Sequence, residues 1–174
     1  CRPFSGHSDQ ATGGCLLFVR HRILGLGENV EHVNFTPGRA HMVRVTLGAS
    51  SLAFINVHNE NLNRAERRKS FRGIANAVRH ASRDFSGSSF VTLFGGFSFV
   101  SPGQCAVRIP LSSDVAPIPS ATCAAAARQW AGPLAPFVEL FQPDVTRVGP
   151  VGGPLFPAMT GSRLDRVYVS LPPW

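Results

Sequence analysis

Apolar positions along this chain follow two periods, and each marks a different kind of element. In Met42-Val43-Arg44-Val45-Thr46-Leu47 the apolar side chains of Val43, Val45 and Leu47 alternate with Arg44 and Thr46, the period of a strand with one buried face. A second strand-like run, Ser51 to Val57, follows the turn residues Gly48-Ala49-Ser50, so residues 39–57 read as a hairpin. Gly14 to Arg20 is a short, nearly uninterrupted apolar run that predicts a strand buried on both faces. Phe90 to Phe94 predicts another buried strand, which runs into Gly95-Gly96. Between the hairpin and that strand the period becomes helical. Phe71, Ile74, Ala75, Val78 and Ala81 recur at helical spacing within Asn63 to Asp84 and predict one apolar stripe. Asn63 with Glu66 three residues later forms a capping-box pattern at its start. Arg64, Arg67, Arg68, Lys69, Arg72 and Arg79 lie mostly off the stripe.

The remaining chain carries weaker patterns. Cys1 to Gly13 reads as an irregular start, and Gly25 to Pro37 as a connector. Four prolines between Ser101 and Pro119 predict a long surface loop. Ser120 can cap a helix that runs through Trp130, Gly132-Pro133 should break it, and Leu134 to Leu140 would add another turn or two. Arg163 to Ser170 alternates polar and apolar residues as a final strand. A hairpin, a crossover helix and a buried strand predict an α/β sandwich. No internal repeat and no linker divides residues 1–174, so a single domain is expected.

With 174 residues, 44% of them hydrophobic, the chain can bury a core, and no apolar run has the length of a membrane-crossing helix. Cys1 begins it without the charged, apolar and small-residue zones of a signal peptide, which predicts a processed or partial product and leaves the compartment open. The net charge of +7 comes almost wholly from arginine, with Lys69 the one lysine. Arginines neutralise phosphates, but an Arg-, Ala- and Gly-rich composition also follows from GC-biased coding. Charge alone leaves both readings open. The Arg64 to Arg72 run has the same two readings: contacts to phosphates or an acidic partner, or a solvated helix face. Cys1, Cys15, Cys105 and Cys123 are too widely spaced for a zinc knuckle, and reduced thiols are the default, with a bridge left open. His7, His21, His32, His41 and His80 show no metal-ligand spacing and read as surface or structural residues. Trp130, Phe137, Phe141 and Trp174 read as core or interface residues rather than base-stacking platforms.

Four segments in order resemble the endonuclease/exonuclease/phosphatase family, with the endonuclease domain of non-long-terminal-repeat retrotransposons as the nearest type. They are Gly13-Gly14-Cys15-Leu16-Leu17-Phe18, Ala53-Phe54-Ile55-Asn56-Val57-His58-Asn59, Leu93-Phe94-Gly95-Gly96-Phe97-Ser98-Phe99 and Ser162-Arg163-Leu164-Asp165-Arg166-Val167-Tyr168. Gln142 to Arg147 also resembles the segment before the last of these. The resemblance spans most of the chain and implies a partial four-layer α/β sandwich, with mixed sheets flanked by helices. It implies that His58, next to Asn59, stands where family members contact the scissile phosphate. Asp165 stands where they hold the catalytic histidine in its tautomer.

Departures from the pattern carry as much weight. The family's central strand ends in Gly-Asp-Phe-Asn, whereas here Gly95-Gly96-Phe97-Ser98 puts Gly96 at the Asp position and Ser98 at the Asn position. Family strands that deliver an Asn and a metal-binding Glu, and a closing Ser-Asp-His segment, have no counterpart in these residues. His58 is then a vestigial phosphate ligand or a structural histidine, and Asp165 a vestigial acid or a member of an ion pair with its flanking arginines. The resemblance implies a remnant of a metal-dependent phosphodiesterase fold, expected to be non-catalytic and to serve as a structural or interaction subunit. No resident cofactor is expected. The expected partners are other protein subunits that cover exposed sheet edges, since open edges and apolar faces need cover. The alternatives are a Mg²⁺-dependent endonuclease whose remaining residues lie outside this chain, or nucleic-acid binding without cleavage through Arg64, Arg67, Arg68, Lys69 and Arg72.

Overall fold

The first strand, β1 (Arg2–His7), lies where the sequence suggests irregular chain, because a single buried apolar side chain, Phe4, carries its alternation. It pairs antiparallel with β2 (Gly14–Val19), from Arg2 opposite Val19 to His7 opposite Gly14. The computed structural model describes residues 1–7, 14–27, 29–58, 64–83, 89–97, 106–110, 116–118, 121–140, 147–151, 158–162 and 165–170. β2 is buried on one face only, which corrects the expectation of two. Cys15, Leu17 and Val19 point inward, while Leu16 and Phe18 are 48% and 62% exposed. An apolar run has the same period whether or not its outer face is covered, so the run itself could not tell the two cases apart.

A single turn, α1 (His21–Leu24), leads to β3 (Asn29–Thr36), so the supposed connector is mostly strand. β3 is mixed in character because it is an edge strand with one neighbour, β4 (Ala40–Leu47). β4 and β5 (Ser50–His58) form the expected hairpin. The two residues between Leu47 and Ser50 make its turn, with Gly48 at φ +57°, a conformation glycine enters without steric cost. Helix α2 (Arg64–Arg83) then carries the chain to β6 (Ser89–Gly96), which pairs parallel to β5. The helix matches its expected span, although the Asn63 cap lies outside the described residues. Ile74 is fully buried beneath α2, and Phe71 meets the Trp130 ring edge-on at 4.2 Å.

The Pro-rich loop expected over 101–119 contains two strands, β7 (Ala106–Pro110) and β8 (Ala116–Ile118). Helix α3 (Ala121–Leu134) continues through Gly132 and Pro133 rather than ending at Trp130. Pro133 falls in the last turn, where one backbone bond is lost, and the burial of Trp130 and Leu134 holds that turn. In place of further helix comes β9 (Phe137–Glu139), followed by β10 (Arg147–Val151), β11 (Ala158–Ser162) and β12 (Asp165–Ser170). Arg163 and Leu164, assigned to the final strand from sequence, lie outside the described residues.

Three sheets result: β1-β2, β10-β11-β7-β8, and the six-stranded mixed sheet β3-β4-β5-β6-β12-β9. The large sheet is packed on both faces. Ala40, Met42, Ala53, Ile55, Val57, Val91 and Leu93 meet Ile74 of α2 and Ala127, Trp130 and Leu134 of α3. The opposite face buries Val43 against Phe4, Leu17 and Val19 of the β1-β2 hairpin, with Phe54 and Phe94 packed alongside. Trp130 is thus a core residue, as its surroundings in the sequence suggest. Cys1 is an exposed free thiol and Cys15 a buried one.

Candidate functional site

β5, β6 and β12 are adjacent in the large sheet, and their ends bring together residues far apart in sequence. His58 at the end of β5 is in register with Gly96 at the end of β6, and Gly96 is in register with Asp165 at the start of β12. The three form one row across the sheet. Neighbouring strands lie about 4.8 Å apart, so His58 and Asp165 flank Gly96 across a span of about 10 Å. Alternation puts this row on the face opposite the helices, the face that carries the β1-β2 hairpin. One register step below it on the same face lie His41, Asn56, Phe94 and Val167.

Local contacts hold the row in place. The His58 backbone N–H donates to the Arg39 carbonyl at 2.7 Å, which ties the end of β5 to the turn before β4. Asn56 Nδ2 donates to the Leu16 carbonyl at 3.0 Å, which joins the hairpin to the sheet just beneath the row. Gly95 has φ +124°, and a Cβ there would sit 2.1 Å from the Val57 carbonyl oxygen. Only glycine fits that position. Arg39 and Asn56 were not singled out from sequence, since a backbone carbonyl and a strand amide carry no pattern that marks them.

Arg166 turns to the helix face, as its position next to Asp165 in a strand requires. Its Nη1 donates to both carboxylate oxygens of Glu139, at 2.8 and 3.0 Å, with the guanidinium fully buried. The sequence leaves Asp165 a vestigial acid or a member of an ion pair with its flanking arginines; Arg166 itself pairs with Glu139, which ties β12 to edge strand β9. Burial pushes the neighbouring Tyr168 hydroxyl up to about 12, with smaller contributions from Arg166 and Glu139.

His41 is fully buried on the site face, and its Nδ1 lies 3.1 Å from His32 Nε2. Burial first, and the His32 charge second, hold the His41 pKa down at about 4. Burial also lowers His32. Cys15 donates to the Gly38 carbonyl, and burial raises its thiol to about 11 against the opposing pull of Arg39.

Of the remaining candidates, Asn59 and Ser98 lie outside the described residues. Arg68, Lys69 and Arg72 are exposed on α2. Arg64 and Arg67 also lie on α2, with side chains outside what is described. The row can present an imidazole and a carboxylate on either side of a position with no side chain. It does not fit a magnesium ion, which takes hard oxygen ligands in near-octahedral geometry, because the central position supplies none and Asp165 is a single carboxylate. Among the described residues no group of three or more His, Cys, Asp or Glu side chains is placed to hold a metal ion.

No family sequence profile and no curated protein sequence matches the chain. Its fold matches solved structures closely enough to identify the type. It superposes on the endonuclease domain of TRAS1, a telomere-specific non-LTR retrotransposon, with a TM-score of 0.58 and 14% identity, over 97% of this chain and 66% of that one. It superposes on TDP2 of D. rerio, solved with a single-strand DNA product, with a TM-score of 0.54 and 16% identity, over 99% of this chain and 64% of that one. The chain thus spans slightly less than two thirds of each. The mixed α/β architecture is that of the endonuclease/exonuclease/phosphatase fold, as the four sequence segments imply.

Proposed function

We propose that this chain is a catalytically silent form of the endonuclease/exonuclease/phosphatase fold, derived from a retrotransposon-type endonuclease, and that it acts as a structural or interaction subunit of a larger assembly. The observation that carries the reading is Gly96 at the centre of the His58–Gly96–Asp165 row. Metal-assisted phosphodiester cleavage needs a Lewis acid on the phosphate and a positioned water. A hydrogen at the central position can hold neither. Exposed Leu16 and Phe18 on the hairpin, with Val138 and Leu140 at the β9 edge, support a surface that a partner covers.

The test is nicking of supercoiled plasmid by the purified chain in Mg²⁺ or Mn²⁺, with EDTA and His58→Ala as controls. Background-level nicking in every arm is the expected result. Metal-dependent nicking that disappears in His58→Ala would overturn the silent reading and restore the alternative, a Mg²⁺-dependent endonuclease completed by residues outside this chain.

A second reading, nucleic-acid binding without cleavage, is favoured by the exposed cations Arg68, Lys69 and Arg72 on α2 and by the DNA seen with the TDP2 fold. Binding of that kind weakens steeply with salt and has little sequence preference. Gel-shift or anisotropy titration of single-stranded DNA at several salt concentrations checks it.

A further inference from the structure

We propose that the His32–His41 pair is an acid-sensitive latch that holds the β1-β2 hairpin against the large sheet. His32 on β3 is exposed and His41 on β4 is fully buried, so the 3.1 Å bond between them runs from solvent into the interior. The other ring nitrogen of His41, Nε2, is buried and meets no hydrogen-bond partner among the described residues. A buried lone pair left without a donor is a smaller penalty than a buried N–H left without an acceptor. The bond therefore runs from His41 Nδ1–H to His32 Nε2, and Nε2 of His41 carries the bare lone pair.

That arrangement leaves no comfortable site for an added proton. On His32 the basic nitrogen is Nε2, which is already the acceptor, so protonation either sets an N–H against the N–H of His41 or drives His41 to the tautomer whose buried Nε2–H meets no described acceptor. On His41 the basic nitrogen is Nε2, so protonation buries a charge with no acceptor beside it. Either event breaks the bond or opens the interface. Burial lowers the pKa of both rings, in keeping with this geometry.

The hairpin rests directly on the pair. The Phe4 ring of β1 meets the His32 ring edge-on at 5.5 Å. Gly6 of β1 lies so close that a Cβ there would sit 3.4 Å from His41 Cγ and 3.0 Å from Asn34 Oδ1. The titratable and charged groups on this side are few. β3 contributes His32, β2 contributes the Cys15 thiol, and the Arg39 guanidinium acts on Cys15 from the turn before β4. The facing residues of β1 are Phe4 and Gly6, with the exposed Arg2 guanidinium 5.1 Å from the Phe4 ring centroid, and β5 presents the neutral Asn56 and, at its end, His58. No described carboxylate adjoins His41: the Glu31–Arg44 pair lies on the opposite face of the sheet, and Asp165, on this face, stands three strands away. Among the described residues an imidazolium formed here has no adjacent carboxylate to neutralise it. Release of the hairpin would uncover Leu17, Val19 and Val43, and the row beneath His58, Gly96 and Asp165.

Cys15 reports the opening, because it lies on the inward, buried face of the hairpin while Cys1 on the same chain is exposed. The experiment labels the full chain with a dipyridyl disulfide from neutral pH down to about pH 4, and reads Cys15 against Cys1 by peptide mass spectrometry. The ratio removes the pH dependence common to both thiols. The expected result is a rise in relative Cys15 labelling of about tenfold or more across that range, abolished in His41→Gln, whose amide does not titrate. His32→Asn, on the exposed side, serves if His41→Gln does not fold, and should move the rise to lower pH. A flat ratio in the parent chain, or the same rise in both variants, would overturn the proposal.

Discussion

Gly95 and Gly96 are adjacent in sequence and constrained in opposite ways. Gly95 is fixed by backbone geometry, since φ +124° excludes other side chains and a Cβ would collide with the Val57 carbonyl at 2.1 Å. Gly95→Ala should therefore destabilise the chain by about 3 kcal/mol or more, read as a lower urea midpoint. Gly96 sits in the site row, where the fold's active members are expected to carry a carboxylate. On the proposed function Gly96 bears on chemistry, whereas Gly95 bears on folding. His41 gives a second prediction at this scale. Its folded pKa of about 4 lies below its ordinary value of 6.5. Above pH 6.5 both the folded and unfolded chains hold it neutral, and its contribution to stability is complete. As pH falls from 6.5 toward 4 the unfolded chain takes up the proton first, so stability is lost by an amount on the order of 3 kcal/mol and then levels off. Urea midpoints measured across that window should fall more steeply for the parent chain than for His41→Gln. Equal slopes would mean that His41 is not the group responsible.

At the scale of elements, helix α2 shows how packing can reverse a propensity argument. Alanine is a better helix former than glycine by about 1 kcal/mol. Yet a Cβ on Gly73 would lie 2.8 Å from Phe35 Cβ on β3, so the helix can approach the sheet edge only without it. Gly73→Ala should lower stability by about 1–2 kcal/mol, because overpacking at a helix–sheet contact outweighs the gain in propensity. A higher melting temperature for that variant would show that Phe35 yields. The same competition between local pattern and packing decides which elements could be read in advance. α2, the β4-β5 hairpin and β6 were legible because each repeats its apolar positions with the period of its own geometry. β3 was not, because an edge strand with one neighbour tolerates Asn29, Glu31, His32 and Asn34 in a run that looks like a connector. β7 and β8 were hidden by prolines, which signal loop locally but remain compatible with short strands. α3 outran its expected end because Trp130 and Leu134 are held by the core, which local turn residues cannot report. Of the site, His58, Gly96 and Asp165 were named from sequence; their common row was not, since register between distant strands leaves no trace in spacing. The Arg166–Glu139 pair was not legible for a related reason, as Glu139 lies on a strand whose sequence suggests helix.

For the whole molecule, net charge and exposed apolar surface act in opposite directions, and salt separates them. The charge of +7 keeps copies of the chain apart and draws it to polyanions. Leu16, Phe18, Leu26, Val138 and Leu140 are exposed large hydrophobic residues that association would cover. Added salt weakens contacts to nucleic acid by reducing the gain from counterion release, with a slope of about −0.7 per phosphate neutralised on a single strand. It strengthens apolar association by screening the repulsion between like-charged copies. If α2 supplies a nucleic-acid face, affinity for single-stranded DNA should fall as salt rises, and Arg68→Glu with Arg72→Glu should flatten that slope. If the hairpin face is instead the working surface, salt should drive the isolated chain toward larger species in light scattering, and Leu16→Lys with Phe18→Lys should prevent it. Those two lysines lie on an outer strand face, so they should change stability by no more than about 0.5 kcal/mol. A chain that stays monomeric at every salt concentration would remove the main physical reason for giving this fold a partner. A binding slope near zero would do the same for nucleic acid, because +7 charges that release no counterions are not contacting a phosphate backbone.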